Sequence, residues 1–289
     1  MLVSSIMRER TWKIGNRVFD VSHKGLIMGV LNVTPDSFSD AGEFLAGDKA
    51  TERGLQMVAQ GAHIIDVGGE SARPGAEPVT VQEELRRVIP VIKYLRAKID
   101  VPISIDTSKA EVASEAIKAG ASIVNDITGG RGDDQMLPLV AETKSAFIVM
   151  HMQGTPRTMQ IRPHYRDIIA EISEFFRQQY ARAIGLNIDP MAIAFDPGIG
   201  FGKTVEHNLE LLAQMERLRA HARALVVGVS RKSFLGKLIA SPEIRDRCTP
   251  GLALTSFLRA RGADVFRVHD VKENVHALQV TEAILQRAK

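Results

Sequence analysis

Cysteine is nearly absent. Cys248 is the only one among 289 residues, so no internal disulfide can form, and a reducing compartment is expected. It lies in Arg247-Cys248-Thr249 with no motif around it, and a structural role is expected of it. Aromatic residues are scarce at 5%, and no long Lys/Arg run occurs, which argues against a nucleic-acid surface. No stretch reaches the ~18 consecutive apolar residues that a membrane helix needs. The opening MLVSSIMRER also lacks a charged segment followed by a long apolar one, so it is a poor signal peptide. The expected location is the cytoplasm, with neither nucleic acid nor a membrane as partner.

The rest of the composition is ordinary: 45% apolar, 25% charged, net charge +3. The length is ample for one large domain over residues 1–289, and no linker or composition break divides it. The mildly basic balance fits a few cations facing an anionic small molecule.

Eight short apolar runs punctuate the chain, each closed by a polar residue: Ile27–Asn32, Ile64–Asp66, Ile103–Asp106, Ile123–Asn125, Phe147–His151, Ala192–Asp196, Leu225–Ser230 and Val265–His269. Between most of them lie segments with helical spacing, such as Leu85, Val88, Ile89, Ile92 and Leu95. Capping pairs stand at three expected helix starts: Thr80 with Glu83, Ser108 with Glu111, and Asp270 with Glu273. Three Gly-Ala joints, at Gly61, Gly120 and Gly262, each lead from a helix into a strand and argue for a repeated βα unit.

Strict βα alternation implies a parallel sheet with right-handed crossovers, either a closed (β/α)8 barrel or an open doubly wound sheet. Eight strands over roughly 250 residues match the barrel. All strand C-termini meet at one mouth only in a barrel, so eight polar strand ends favour it over the open sheet. Trp12–Val21 alternates around Gly15-Asn16 and predicts a short N-terminal β-hairpin closing one end.

The strand ends carry the chemistry. Asp106, Asn125 and Asp196 directly follow apolar runs. A buried carboxylate needs donors, and a flat heterocycle with an amidine edge offers two parallel N–H groups. Ser108 is the better helix cap, which frees Asp106 for the mouth, whereas Asp126 is expected to cap the following helix. Val229-Ser230-Arg231-Lys232-Ser233 places adjacent cations beside the site, suited to an anion or a polarised carbonyl. A Schiff-base lysine is disfavoured, because Lys232 lies past the strand. Arg267 and His269 share one face of the last strand, and with the next helix N-terminus they suit a phosphate. The bland alternative is a satisfied structural histidine. The glycine-rich DPGIGFGKT is not a P-loop, because Pro197 stands where that motif needs glycine, and it is not a dinucleotide fingerprint.

Taken together, NVTPDSFSD, GGES-x-RPG, IDTSK, NDI, MHMQGTP, DPG-x-GFGK, SRKS and RVHD resemble dihydropteroate synthase of folate biosynthesis, in the family's order, from about Leu26 to Lys272. The resemblance implies a (β/α)8 barrel, typically a homodimer. It implies joining 6-hydroxymethyl-7,8-dihydropterin diphosphate to 4-aminobenzoate, with pyrophosphate released and Mg2+ as cofactor. It assigns the pterin pocket to Asp106, Asn125, Asp196 and Lys232, lined by Met150. Arg267, His269 and Asn32 would hold the diphosphate, with Asn32 also a Mg2+ ligand. Phe201, Ser230, Arg73 and Pro74 would border the aminobenzoate. The implied catalytic set is Asp106, Asp196, Lys232, Arg267 and His269, with Asp36 assisting from the first loop.

Family members commonly carry Thr or Ser where this chain has Ala72. Activity is expected to survive that departure, with aminobenzoate affinity or sulfonamide response altered. Asp66 is expected to orient the second loop, and His151 to be a satisfied strand-end residue. Two rival readings share the pterin carboxylates: a pterin-dependent methyltransferase barrel and a non-catalytic pterin-binding paralogue. The SARPG segment and the SRKS/RVHD cations argue against both.

Overall fold

A computed structural model of the chain describes residues 10–34, 43–73 and 75–287. Two strands, β1 (Thr11–Ile14) and β2 (Arg17–Asp20), form the expected antiparallel hairpin. Then β3 (Leu26–Asn32), β4 (Ile64–Gly68), β5 (Ile103–Asp106), β6 (Ile123–Asp126), β7 (Ala146–Met150), β8 (Ile193–Asp196), β9 (Ala224–Val227) and β10 (Val265–Val268) follow in order. Each pairs in parallel with the next, and β10 returns to β3, so eight strands close a barrel.

Helices α1 (Glu43–Ala59), α2 (Val81–Arg96), α3 (Ala110–Lys118), α4 (Met136–Thr143), α5 (Ile168–Gly185) and α6 (Val205–Ala213) separate successive strands up to β9. Two helices, α7 (Ser233–Leu238) and α8 (Cys248–Ala260), connect β9 to β10, and α9 (Val271–Arg287) follows β10. No helix among the described residues is long and apolar enough to cross a membrane.

The Gly-Ala joints are one device used repeatedly. The Ala62, Ala121 and Ala263 amides reach back to Met57, Ala116 and Leu258, while the preceding glycine amides bond Val58, Ile117 and Arg259. This is the Schellman pattern, which satisfies otherwise orphaned helix-end carbonyls. Thr80 caps α2 as expected, accepting from the Glu83 amide at 3.2 Å. Ser108 does not cap α3. The helix starts later, and the Asp133 carboxylate, from the loop after β6, takes the Ala110 amide at 2.8 Å. The Asp270 carboxylate before α9 pairs with Arg231.

Strand residues alternate between two environments, as a pleated barrel requires. Ile27, Ile65, Ile105, Val124, Phe147, Phe195, Leu225 and Phe266 face the helices and join the larger core. Leu26, Met28, Ile64, Ile123, Ile148, Ala194, Val226 and Val265 face inward and fill the lower barrel, together with Trp12. Trp12 is fully buried and donates Nε1–H to the Ala192 carbonyl at 3.1 Å, so the hairpin plugs the N-terminal end. Above that apolar floor the inward positions turn polar: Asp66, Ser104 and Arg267, then Asn32, Asp106, Asn125 and Asp196. The change in chemistry along the barrel axis places the site at the C-terminal mouth.

Candidate active site at the barrel mouth

Asp66 lies at the centre of the polar layer. The strand it sits on runs on to Gly68, so Asp66 is a mid-strand residue rather than a strand end. It is fully buried, and its Oδ2 accepts Arg267 Nε at 2.6 Å and Asn125 Nδ2 at 3.2 Å. Arg267 reaches on to Asp106 Oδ2 at 2.5 Å. Asp66 therefore orders residues on β6 and β10, and the expectation that it orients the second loop is corrected. The guanidinium between Asp66 and Asp106 is held firmly protonated: burial opposes the charge, but the two carboxylates outweigh it. Burial raises Asp106 to about 7, with Arg267 pulling the other way.

Asn32 and Asp106 flank Gly68. A Cβ built there would stand 3.4 Å from Asp106 Cβ and 3.8 Å from Asn32 Oδ1, so the missing side chain leaves a gap between those two residues. Asp196 closes the opposite side. It is buried, its Oδ1 accepts the Gly198 amide at 2.7 Å, and burial raises its pKa against that hydrogen bond. Asp126, in contrast, faces away from the mouth. Its carboxylate accepts from the Thr128 and Gly130 amides and organises the loop after β6; it caps no helix, since α4 begins at Met136.

The loop after β8 is packed hard against the end of β7. Gly198 has φ +65°, and a Cβ there would meet the His151 carbonyl at 1.9 Å. Beneath this loop lies Lys203, a residue that sequence reasoning did not assign. Only 3% exposed, it donates to the Phe201 carbonyl at 2.9 Å and lies 3.1 Å from His151 Nδ1. Burial lowers the Lys203 pKa to about 7, and burial with the nearby Lys203 charge lowers His151 to about 2. His151 is thus a satisfied strand-end residue, as expected. The signal for Lys203 was a cation directly after a glycine loop leaving a barrel strand.

Met150 joins Met152 and Met159 in a small apolar cluster at the mouth, with Ile127 and Phe201 packed against it. Lys232, the residue before α7, carries its ammonium 3.9 Å from the Phe201 ring centroid. Burial and the neighbouring Arg267 lower the Lys232 pKa to about 8. The mouth thus combines an apolar wall, carboxylates and a cation, a lining suited to a planar polar ring.

His269 and Ser230 form a pair. The Ser230 hydroxyl accepts the His269 amide at 3.2 Å and lies 3.1 Å from His269 Nδ1. Burial and Arg267 lower His269 to about 3, so its ring is neutral near pH 7. If Ser230, which already accepts the His269 amide, donates to Nδ1, the ring proton is on Nε2. Ser230 thus pairs with His269 at the end of β10.

Ala72 lines a recess of about 300 Å3, open to solvent, together with Asp106, Thr107, Ile127 and Pro156. Lys109 pairs with Glu70 and with the buried Glu84 at the foot of this second loop. Arg73 is exposed. Pro74 and Asp36 lie outside the described residues. Among the described residues no cluster of three or more His, Cys, Asp or Glu side chains is arranged to hold a metal. The Asn32 amide oxygen, a hard donor beside Asp106, fits an ion that brings its other ligands with it, as Mg2+ does on phosphates.

Comparison with known proteins agrees with this geometry. The family model described as "Pterin binding enzyme" matches residues 28–269. Dihydropteroate synthase from Synechocystis sp. is 45% identical, covering 94% of each chain. Its counterpart from Escherichia coli K12 is 46% identical over 92% of this chain and 93% of that one. The solved structure of Xanthomonas albilineans dihydropteroate synthase with 4-aminobenzoic acid superposes with a TM-score of 0.90 at 38% identity, covering 96% of this chain and 99% of that one. The chain belongs to the dihydropteroate synthase family of pterin binding enzymes.

Proposed function

We propose that this chain joins 6-hydroxymethyl-7,8-dihydropterin diphosphate to 4-aminobenzoate, forming 7,8-dihydropteroate and pyrophosphate. The observation that carries the reading is the division of the mouth. Acceptors at Asp106, Asn125 and Asp196 surround an apolar wall, while Arg267 and His269 face it from β10 and its end. The relative solved with 4-aminobenzoic acid supports the choice of amine.

In this reading Asp106 and Asp196 take the N–H groups of the dihydropterin, Met150 covers its face and Lys232 stands at its edge. Arg267 and the Nε2–H of His269 bind the diphosphate, and Asn32 would be the protein's ligand for a Mg2+ arriving with it. That ion would neutralise charge on the leaving group. The carbon–oxygen bond to the diphosphate breaks early, its electron pair leaving with pyrophosphate. The exocyclic methylene cation is delocalised into the electron-rich dihydropterin, and Asp106 and Asp196 stabilise it electrostatically. The amine lone pair then forms the carbon–nitrogen bond, and the amine proton leaves to pyrophosphate or water. Arg73 and Pro74 of the second loop would border the aminobenzoate, Asp36 of the first loop would assist in stabilising the cation, and closure of the two loops would exclude water.

The protein works as one cytoplasmic domain and as a homodimer. Leu238, Ile239, Ile244, Phe257, Val280 and Ile284 are exposed large apolar residues on α7 to α9 and the turn between, which supports association through that face. Light scattering of the purified protein tests the dimer. Chromatographic detection of 7,8-dihydropteroate from the two substrates tests the activity; no product with both present and Mg2+ added would remove it.

A further inference from the structure

The register of the barrel puts Asp66 one inward layer below the ligand-facing residues. Asp66 pairs with Ser104 and Ser104 with Ile123, while Asn125, two residues further along β6, pairs with Asp106. The Asp66 carboxylate, fully buried and paired with Arg267, is an acceptor only. The side chain of Asn125 must therefore turn its NH2 group down to Asp66, which it does at 3.2 Å. Its carbonyl oxygen is left facing the mouth.

We propose that Asp66 is a positioning residue that locks the Asn125 amide with its oxygen toward the ligand, and so adds a third acceptor to this side of the pocket. Asp106, Asn125 and Asp196 then each present oxygen. The ligand edge that fits is one of N–H donors, such as the 2-amino group and ring N–H groups of a pterin. A 2-oxo analogue of the lumazine type places an acceptor against an acceptor and is rejected. The inference rests on the pterin reading above and adds to it the origin of 2-amino selectivity.

Arg267 Nε and Asn125 Nδ2 share one oxygen, Asp66 Oδ2. Asp66→Asn keeps an oxygen at that position and so keeps the lock, whereas Asp66→Ala removes the acceptor and frees the Asn125 amide to turn over. Calorimetry with a pterin and its 2-oxo analogue reads the outcome. Wild type prefers the pterin, and Asp66→Ala reduces that preference about two- to tenfold, the range expected when a neutral hydrogen bond is lost. Asp66→Asn retains the preference. Ser104→Ala is a second control, since that neighbouring hydroxyl is buried without a partner, and it keeps the wild-type preference. Asp66→Leu, closer in volume and also without an acceptor, carries the test if Asp66→Ala folds poorly. Unchanged selectivity in the variants that lack the acceptor, or loss of it in Asp66→Asn, overturns the inference. Failure of wild type to bind pterin at all would instead strike the underlying functional reading.

Discussion

The Lys232 ammonium stands 3.9 Å from the centroid of the Phe201 ring, and its pKa is lowered to about 8 by burial and by Arg267. The cation that edges the pocket is thus lost as pH rises through that value. On the acid side Asp106, raised to about 7, loses its charge as pH falls. The expected kcat/KM profile rises through about 7 and falls through about 8, the limbs belonging to the coupled Asp106, Arg267 and Lys232 network. Lys232→Arg, which keeps the cation and cannot deprotonate in this range, removes the alkaline limb while the acid limb stays. A profile in which the variant still falls near pH 8 would assign that limb to another group.

Lys203 gives a stability signature of its own. Its pKa in the folded state is about 7, against an ordinary 10.5. Between those values the unfolded chain binds a proton that the folded chain does not, so stability from this residue rises with pH across the window. Lys203→Met lacks that slope and leaves the Phe201 carbonyl without its donor, at a cost of about 1–3 kcal/mol. Thermal melts of both proteins from pH 6 to 10 should show the wild-type advantage growing with pH, and KM for aminobenzoate should rise in the variant. A difference that stays flat or shrinks with pH would contradict the burial argument.

Ala72→Thr adds a hydroxyl to the recess shared by Asp106, Thr107 and Pro156. One added hydrogen bond is worth ~1 kcal/mol, so KM for 4-aminobenzoate should fall by a few fold with kcat nearly unchanged, and sulfonamide inhibition should shift with it. Steady-state kinetics with and without inhibitor checks this; identical constants would mean that Ala72 has no part in seating the amine.

Trp12 lies at the other end of the barrel, fully buried against the lower core. Trp12→Ala should cost about 3–5 kcal/mol of stability while leaving kcat/KM close to wild type at temperatures where the barrel remains folded. A variant with normal melting and lost activity would show that the plug communicates with the mouth.

The fold was legible because the barrel repeats one signal. Strand ends at Asn32, Asp106 and Asp196 are where the chain was expected to present polar groups, and the Gly-Ala joints proved to be one hydrogen-bonded motif. What sequence could not supply were partners set by strand register. Ser108 had every local mark of a cap, yet Asp133 takes the position from the next loop. Asp66 looked like a strand end because its polarity interrupts the run, and only the pairing of β4 with its neighbours places it beneath Asn125 and Arg267. The resemblance placed Ser230 beside the aminobenzoate, and only the fold shows that its hydroxyl also meets His269. Lys203 stood unassigned in the glycine-rich DPGIGFGK segment; its burial follows from how closely Gly198 lets that loop approach β7.

The central claim is that the two halves of the mouth serve one substitution, with the diphosphate leaving and the amine arriving. Pyrophosphate release from 6-hydroxymethyl-7,8-dihydropterin diphosphate, followed with and without 4-aminobenzoate in the presence of Mg2+, tests it most directly. The account predicts release that depends on the amine and matches dihydropteroate formed one for one. Release at the same rate without the amine, or none with both substrates present, would contradict it.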